Sequence, residues 1–372
     1  MKKKQGMQNT ESRKTSSIEK GSTEEKDGKE EFREPGFWET VKEALFGVWR
    51  PLDCIQVEVS SRCPGRCIYC PHTTLRDRWR SRNMEISTFS RLWPLMRRSA
   101  RVHLQGWGEP LLNPAFFDMA VLARKAGCQV STTTCGLCMN ETIALRIIDS
   151  GIDIVAFSLA GADAESNRSR LGVDFDRVCE AVSTLQGVRQ KHMAVHLEIH
   201  FAYLMLASNM EAVRGLPALM KRLGVHASII STLDYIAGPG LEAEAVGPME
   251  PEKIERAEAI LSETSAEAVR MGLGFHYELP DSSADGTSCR ENIGRTFFVS
   301  ADGSISPCVY VNVPAEAADP RRRVFGNVLE RDPLAIWESD EYRQFRESLA
   351  SGRPDRACQS CPKRFMNRNS ER

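Results

Sequence analysis

The sequence predicts an α/β fold: a partial (β/α)6, TIM-like barrel followed by a small C-terminal domain made of a β-hairpin and a helix. Three observations predict it. Six β-rich runs alternate with helical patterns after residue 54, as parallel βαβ units require. No internal repeat divides that stretch. The last 90 or so residues switch to hairpin chemistry around Asp302-Gly303, a strong turn signal.

The elements follow in order. Residues 1–35 carry nine Lys or Arg and eight Asp or Glu, with only Met1, Met7, Ile18 and Phe32 apolar. Such a segment buries too little surface to offset its ordering entropy, which predicts a disordered polar tail. Over 36–50, Trp38, Val41, Leu45, Val48 and Trp49 fall at helical spacing and predict an amphipathic helix packed on the core, stopped by Pro51. The barrel is expected over 52–245. Its strands are Cys54–Ser60, Arg101–Gln105, Gln129–Thr134, Asp153–Leu159, Ala194–Phe201 and Val225–Ser231. Helices are expected near 86–98, 114–126, 140–150, 174–190 and 209–223. Residues 246–280 read as a connecting region with a helix at about 251–271. Residues 281–372 form the last domain, with strands Arg295–Ser300 and Ser304–Val309. Ligand sites in parallel α/β folds lie at the C-terminal ends of strands.

Composition narrows the function. The chain has 372 residues, 41% hydrophobic and 27% charged, with a formal net charge of -1. That balance argues against nucleic-acid binding. No apolar run reaches the ~18–20 residues that span a bilayer, and the polar N-terminus lacks a secretory core, so a cytoplasmic protein is expected. Twelve cysteines in such a setting point to metal or iron–sulfur ligation rather than disulfides.

Cys63, Cys67 and Cys70 follow the first strand at spacing C-x3-C-x2-C. A four-iron cube takes four ligands, so three thiolates leave one iron open. Zinc on the same thiolates, with His72 as fourth ligand, is the competing assignment. This motif, with Tyr69 before the last cysteine, resembles the signature of radical S-adenosylmethionine (SAM) enzymes. The resemblance implies a [4Fe-4S] cluster whose open iron is chelated by SAM. It also implies reductive cleavage to a 5′-deoxyadenosyl radical, hydrogen abstraction from substrate, and an electron donor such as flavodoxin or ferredoxin. Gly106-Trp107-Gly108-Glu109-Pro110 follows the second strand and is similar to the family's glycine-rich motif. Gly106 and Gly108 would let the backbone approach SAM, and Glu109 would pair with its ammonium. Ser158, and Arg170 twelve residues on, resemble the pair that holds the SAM carboxylate. Ala160 and Thr134-Cys135-Gly136 depart from the family's usual residues.

Cys289, Cys308, Cys358 and Cys361 form a second set. A zinc ribbon is the bland assignment for four such cysteines. The spacing from Cys289 through Gly303 to Cys308 is similar to the opening of SPASM domains. Phe325-Gly326-Asn327-Val328 and Ile336-Trp337-Glu338-Ser339 extend that likeness. With no cysteine after Cys361, the pattern resembles the shortened twitch arrangement, similar in layout to 2-deoxy-scyllo-inosamine dehydrogenase. It implies one auxiliary [4Fe-4S] cluster that takes part in electron transfer.

The expected function is therefore a radical SAM oxidoreductase that removes two electrons from a small molecule. The first 50 residues are too short and polar for a leader-binding domain, which sets peptide or protein modification second. A non-catalytic iron–sulfur electron carrier is the reading from another class. His196, Glu198 and His200 alternate along the fifth predicted strand and are the catalytic candidates if that face points inward. Cys54, Cys128, Cys135, Cys138 and Cys179 read as small buried residues. The arginines at 76, 78, 80 and 82, and at 321–323, read as a solvated surface.

Overall fold

The structure is a computed structural model that describes residues 50–281, 283–315 and 321–366. The predicted tail and residues 36–49 of the amphipathic helix lie outside the described residues.

Among the described residues, ten strands form one sheet in the order β10-β9-β8-β1-β2-β3-β4-β5-β6-β7. They are β1 (Leu52–Val57), β2 (Ser99–Leu104), β3 (Gln129–Thr134), β4 (Ile154–Leu159), β5 (Glu198–Met205), β6 (Ala227–Thr232), β7 (Gly274–Tyr277), β8 (Thr296–Val299), β9 (Ser304–Ser306) and β10 (Gly326–Asn327). Every pairing from β8 through β1 to β7 is parallel. The two hairpin pairings, β8–β9 and β9–β10, are antiparallel. Two features exceed the six-strand expectation. β7 adds an edge strand within the connecting region, and β8 docks beside β1. The C-terminal hairpin thus continues the barrel sheet.

Helices α1 (Phe116–Lys125), α2 (Glu141–Asp149), α3 (Phe175–Lys191), α4 (Leu216–Leu223) and α5 (Pro251–Arg270) connect the strands. Polar caps start two of them: Asn140 accepts from the Ile143 N–H at 2.9 Å and Asp174 from the Arg177 N–H at 3.0 Å. Helix α6 (Asp340–Ala350) lies in the last domain. Prolines divide two predicted helices. The 86–98 pattern is two short helices, Ile86–Ser90 and Trp93–Met96, the second with Pro94 in its first turn. The 209–223 pattern is a 3-10 segment, Ala207–Gly215, before α4, which begins at Leu216-Pro217. Proline lacks the N–H a continuing helix needs but fits a first turn.

The fifth strand is shifted. Residues 194–197 are a turn, closed by the Leu197 N–H on the Ala194 carbonyl at 3.2 Å, and β5 begins at Glu198. The side chains that anchor it are Ile199, Phe201, Tyr203 and Met205, all at most 1% exposed.

The two faces of the sheet differ. Val57, Leu104, Val130, Val155, Phe157 and Ile199 are fully buried in the main apolar core with the helices. The opposite face is polar. Gln56 donates to Gln105 at 2.9 Å, and His103 shares a 2.8 Å hydrogen bond with Ser131. Among the described residues, no helix is long and apolar enough to cross a membrane.

Candidate functional site

The segment 58–70 leaves the C-terminal end of β1 and is tied down on two sides. The Arg66 and Ile68 N–H groups donate to the Leu171 and Ser169 carbonyls at 2.7 and 3.0 Å. The Glu109 N–H donates to the Arg62 carbonyl at 2.7 Å. The three-cysteine loop is therefore strung between the segment carrying Arg170 and the loop carrying Glu109. Tyr69 packs on Leu206, Leu233 and Leu241, beyond the ends of β5 and β6.

Gly108 makes this joint possible. A Cβ there would fall on the Ser60 carbonyl oxygen and within 2.7 Å of the Arg62 oxygen, both backbone atoms that cannot step aside. Gly106 abuts the Glu58 side chain in the same way. Asn113 holds the loop from below, donating to the Val59 and Met84 carbonyls at 2.7 and 2.9 Å.

Glu109 is 2% exposed. One carboxylate oxygen accepts from the Thr134 hydroxyl at 2.7 Å and from the Leu111 N–H at 3.3 Å; the other accepts from the Cys135 N–H at 2.6 Å. These donors fix its orientation from the ends of β2 and β3. Arg170 is 4% exposed and donates through Nη2 to the Ser158 hydroxyl at 2.7 Å. Among the described residues its Nε and Nη1 are buried with no partner at hydrogen-bond geometry, and the Cys67 thiol lies near the guanidinium. A buried guanidinium with two idle donors calls for an anion, because desolvated donors left unpaired are costly. A carboxylate ligand such as that of SAM fits the place.

Burial pushes the Cys63 thiol up to about 11 and that of Cys70 to about 12. Assembly of a metal centre on them must therefore expel protons. Among the described residues, no three or more His, Cys, Asp or Glu side chains gather tightly enough to hold a single metal ion. A cubane, with irons and sulfides between its ligands, spaces them more widely than one ion does.

The second cysteine set surrounds a cavity of about 390 Å³ lined by Cys289, Cys308, Cys358 and Cys361. Burial pushes Cys289 and Cys358 up to about 12, and raises Cys308 and Cys361 as well. Arg364 shapes the C-x2-C turn by donating to the carbonyls of Gly286 and Gln359 at 2.8 and 2.9 Å. A four-iron group fits this donor set and this space. Asp234, from the exit of β6, reaches the same cavity and pairs with Lys363 at 2.9 Å.

The catalytic candidates do not assemble here. His196 lies in the exposed turn before β5, so it does not share a strand face with the other two. Glu198 and His200 do share one and interact at 2.7 Å. They sit opposite Ile154 and Ala156, at the start of β4, whereas Ser158 is level with Ala202. At ~3.3 Å per residue, His200 is about 7 Å below Ser158, towards the wrong end of the sheet.

Sequence reasoning missed Glu58 and Asp234, and gave no role to Trp107 and Asn113 in the stretch after the second strand. An acid inside the apolar run Val57-Glu58-Val59 was the available signal for Glu58. Trp107 and Asn113 lie in or beside the glycine motif, but their partners, like those of Asp234, are far away in sequence.

Comparison with known proteins bears on the domains and the fold. Residues 57–212 match the family model described as the radical SAM superfamily, and residues 289–362 match SPASM, an iron–sulfur cluster-binding domain. The chain is 23% identical over 310 residues to PqqA peptide cyclase of Gluconobacter oxydans, covering 81% of each chain. It is 22% identical over 312 residues to a tungsten-containing aldehyde ferredoxin oxidoreductase cofactor-modifying protein of Pyrococcus furiosus, covering 78% of this chain and 82% of that one. In fold it resembles Streptococcus suis SuiB bound to the precursor peptide SuiA. That match has a TM-score of 0.63 at 14% identity and covers 88% of this chain and 73% of SuiB. The two domains imply a [4Fe-4S] cluster with SAM and an auxiliary iron–sulfur cluster.

Proposed function

Because the chain belongs to the radical SAM superfamily and carries a C-terminal SPASM-type iron–sulfur domain, we propose that it carries out a radical modification of a peptide or protein. The relatives support a peptide over the small molecule expected from sequence. A peptide cyclase aligns along about four-fifths of the chain, and the fold resembles a protein captured with its precursor peptide. The expectation of a small molecule drew on the first 50 residues, of which 1–49 lie outside the described residues. The Pyrococcus relative, named for cofactor modification, keeps a small-molecule oxidation as a second reading.

In this reading Cys63, Cys67 and Cys70 hold the reducing cluster, and the four later cysteines hold the auxiliary one. Bound together, the first cluster and SAM supply hydrogen-atom abstraction. The protein's part is placement. Arg170, aligned by Ser158, receives the SAM carboxylate on its two idle nitrogens. Glu109, fixed by Thr134 and Cys135, faces the ammonium, and Gly108 brings its loop against the cysteine loop. The observation that carries the reading is Arg170, buried beside the cysteine loop with two of its three guanidinium nitrogens lacking a hydrogen-bond partner among the described residues.

The test is anaerobic reconstitution followed by reductive SAM cleavage, with and without peptides encoded beside the gene and a panel of polyols. Expected are 5′-deoxyadenosine and a mass change on a peptide. Absence of SAM cleavage overturns the reading, and a mass change confined to a polyol replaces the substrate assignment.

A further inference from the structure

Three aromatic rings from separate parts of the chain meet beside the four-cysteine cavity. Trp107 stands in the glycine loop after β2, two residues before Glu109. Tyr235 leaves the end of β6, and Tyr310 follows Cys308 by two residues. The ring centroids of Trp107 lie 5.4 Å from Tyr235 and 6.0 Å from Tyr310; the two tyrosines are 6.3 Å apart at an interplanar angle of 23°. Both tyrosines line the four-cysteine cavity.

Polar contacts hold each ring in place. The Trp107 indole N–H donates to the Val309 carbonyl at 3.2 Å, next to Cys308. Arg321 lies 4.5 Å over the Tyr235 ring and donates to its hydroxyl at 3.1 Å. Lys363, held by Asp234, lies 5.7 Å over the Tyr310 ring.

We propose that Trp107, Tyr235 and Tyr310 form a packed path for single electrons between the SAM-binding loop and the iron–sulfur centre of the four-cysteine cavity. This rests on the reading above. Electron tunnelling decays more slowly through packed atoms than across an open or water-filled gap. The rings begin and end closed-shell. When substrate is oxidised, one electron leaves the substrate radical at the SAM loop and one is gained by the auxiliary cluster. Any proton the substrate sheds goes to the buffer. In the reverse sense the auxiliary cluster loses one electron, cleavage of the SAM carbon–sulfur bond consumes it to give methionine, and the 5′-deoxyadenosyl fragment takes a hydrogen atom from the buffer to give 5′-deoxyadenosine.

The reverse direction provides a test that needs no substrate. Both clusters are reduced, excess reductant is removed, and SAM is added. Formation of 5′-deoxyadenosine and decay of the auxiliary cluster's EPR signal are followed together, and a redox titration checks its potential. Wild type should give a fast phase of about one product per chain and a slower one of similar size, the second matching the EPR decay. Tyr235→Leu and Trp107→Leu should slow the second phase and the EPR decay about tenfold at unchanged potential. Tyr235→Phe and Tyr310→Phe, which keep the rings, should not. Unaltered EPR decay in both leucine variants overturns the proposal, as does a wild type without a second phase. A missing first phase in wild type instead removes the reading of the SAM site.

Discussion

Glu58 offers a quantitative test of the joint between the barrel loops and the hairpin. Its carboxylate is fully buried and accepts the Trp107 N–H at 3.0 Å and the Ala301 N–H at 3.2 Å. It thereby ties the glycine loop to the turn after β8. Burial pushes its pKa from 4.5 up to about 7, outweighing the lowering by those two hydrogen bonds. The folded state therefore holds this proton more tightly than the unfolded chain does between those pH values. The contribution is complete below pH 4.5 and is lost as pH rises through 7. Two and a half pH units at about 1.4 kcal/mol each give about 3 kcal/mol. Glu58→Gln removes the titration. It also turns one acceptor into a donor facing an N–H, a pH-independent cost of about 1–3 kcal/mol. His103 acts with the opposite sign: burial lowers it from 6.5 to about 4, so its contribution is lost as pH falls through that range. The two slopes partly cancel in wild type, so the informative quantity is the difference between wild type and Glu58→Gln. Urea unfolding at pH 5, 6, 7 and 8 should show the wild-type advantage shrinking by about 2–3 kcal/mol from the lowest pH to the highest. A difference that stays constant, or grows with pH, refutes the burial argument.

Other outcomes follow from the same geometry. Iron analysis after reconstitution should give about eight irons per chain, falling to about four in Cys67→Ala with loss of SAM cleavage. Cys358→Ala should also fall to about four irons, yet still cleave SAM. Arg170→Met should weaken SAM binding, measured by calorimetry, by roughly 30-fold, an effect of about 2 kcal/mol for losing a buried charged partner. Gly108→Ala should abolish SAM binding or unfold the loop, read by limited proteolysis between residues 58 and 70, because its Cβ has no room against the Ser60 and Arg62 backbone.

Much of this architecture could be read from local pattern. The exits of β1, β2 and β4 carry the cysteine loop, the Gly108–Glu109 loop and Ser158, where parallel strands place ligands. Gln129–Thr134 forms a strand over the predicted span, since alternation and flanking helices agree there. Local pattern failed where two periodicities overlapped. Ala194 through His196 continue the alternation of the true strand, but Val195 is 84% exposed and the turn bond from Leu197 to Ala194 ends the ladder at Glu198. That slip placed His196 on a strand it does not join. β7 was missed because Gly274–Tyr277 is a four-residue edge strand after a 20-residue helix, too short for alternation to register.

The pairing of β8 with β1 has the widest consequence. Cys54 to Val57 run in register with Thr296 to Val299, so β1 and β8 end on the same side of the sheet, and β9 then runs back along β8 before the chain reaches Cys308. Glu58 and Ala301, the residues just beyond each strand, are then hydrogen-bonded to one another's segments. A domain attached only by a linker would leave the spacing between the two cysteine sets to a flexible joint. Here it is set by a hydrogen-bonded ladder and a buried carboxylate. Loosening that ladder, rather than removing a ligand, is therefore the way to separate cluster content from cluster communication. Glu58→Gln at pH 8 should keep both clusters while slowing the second phase of SAM cleavage relative to the first; equal slowing of both phases would locate the defect in the SAM loop alone.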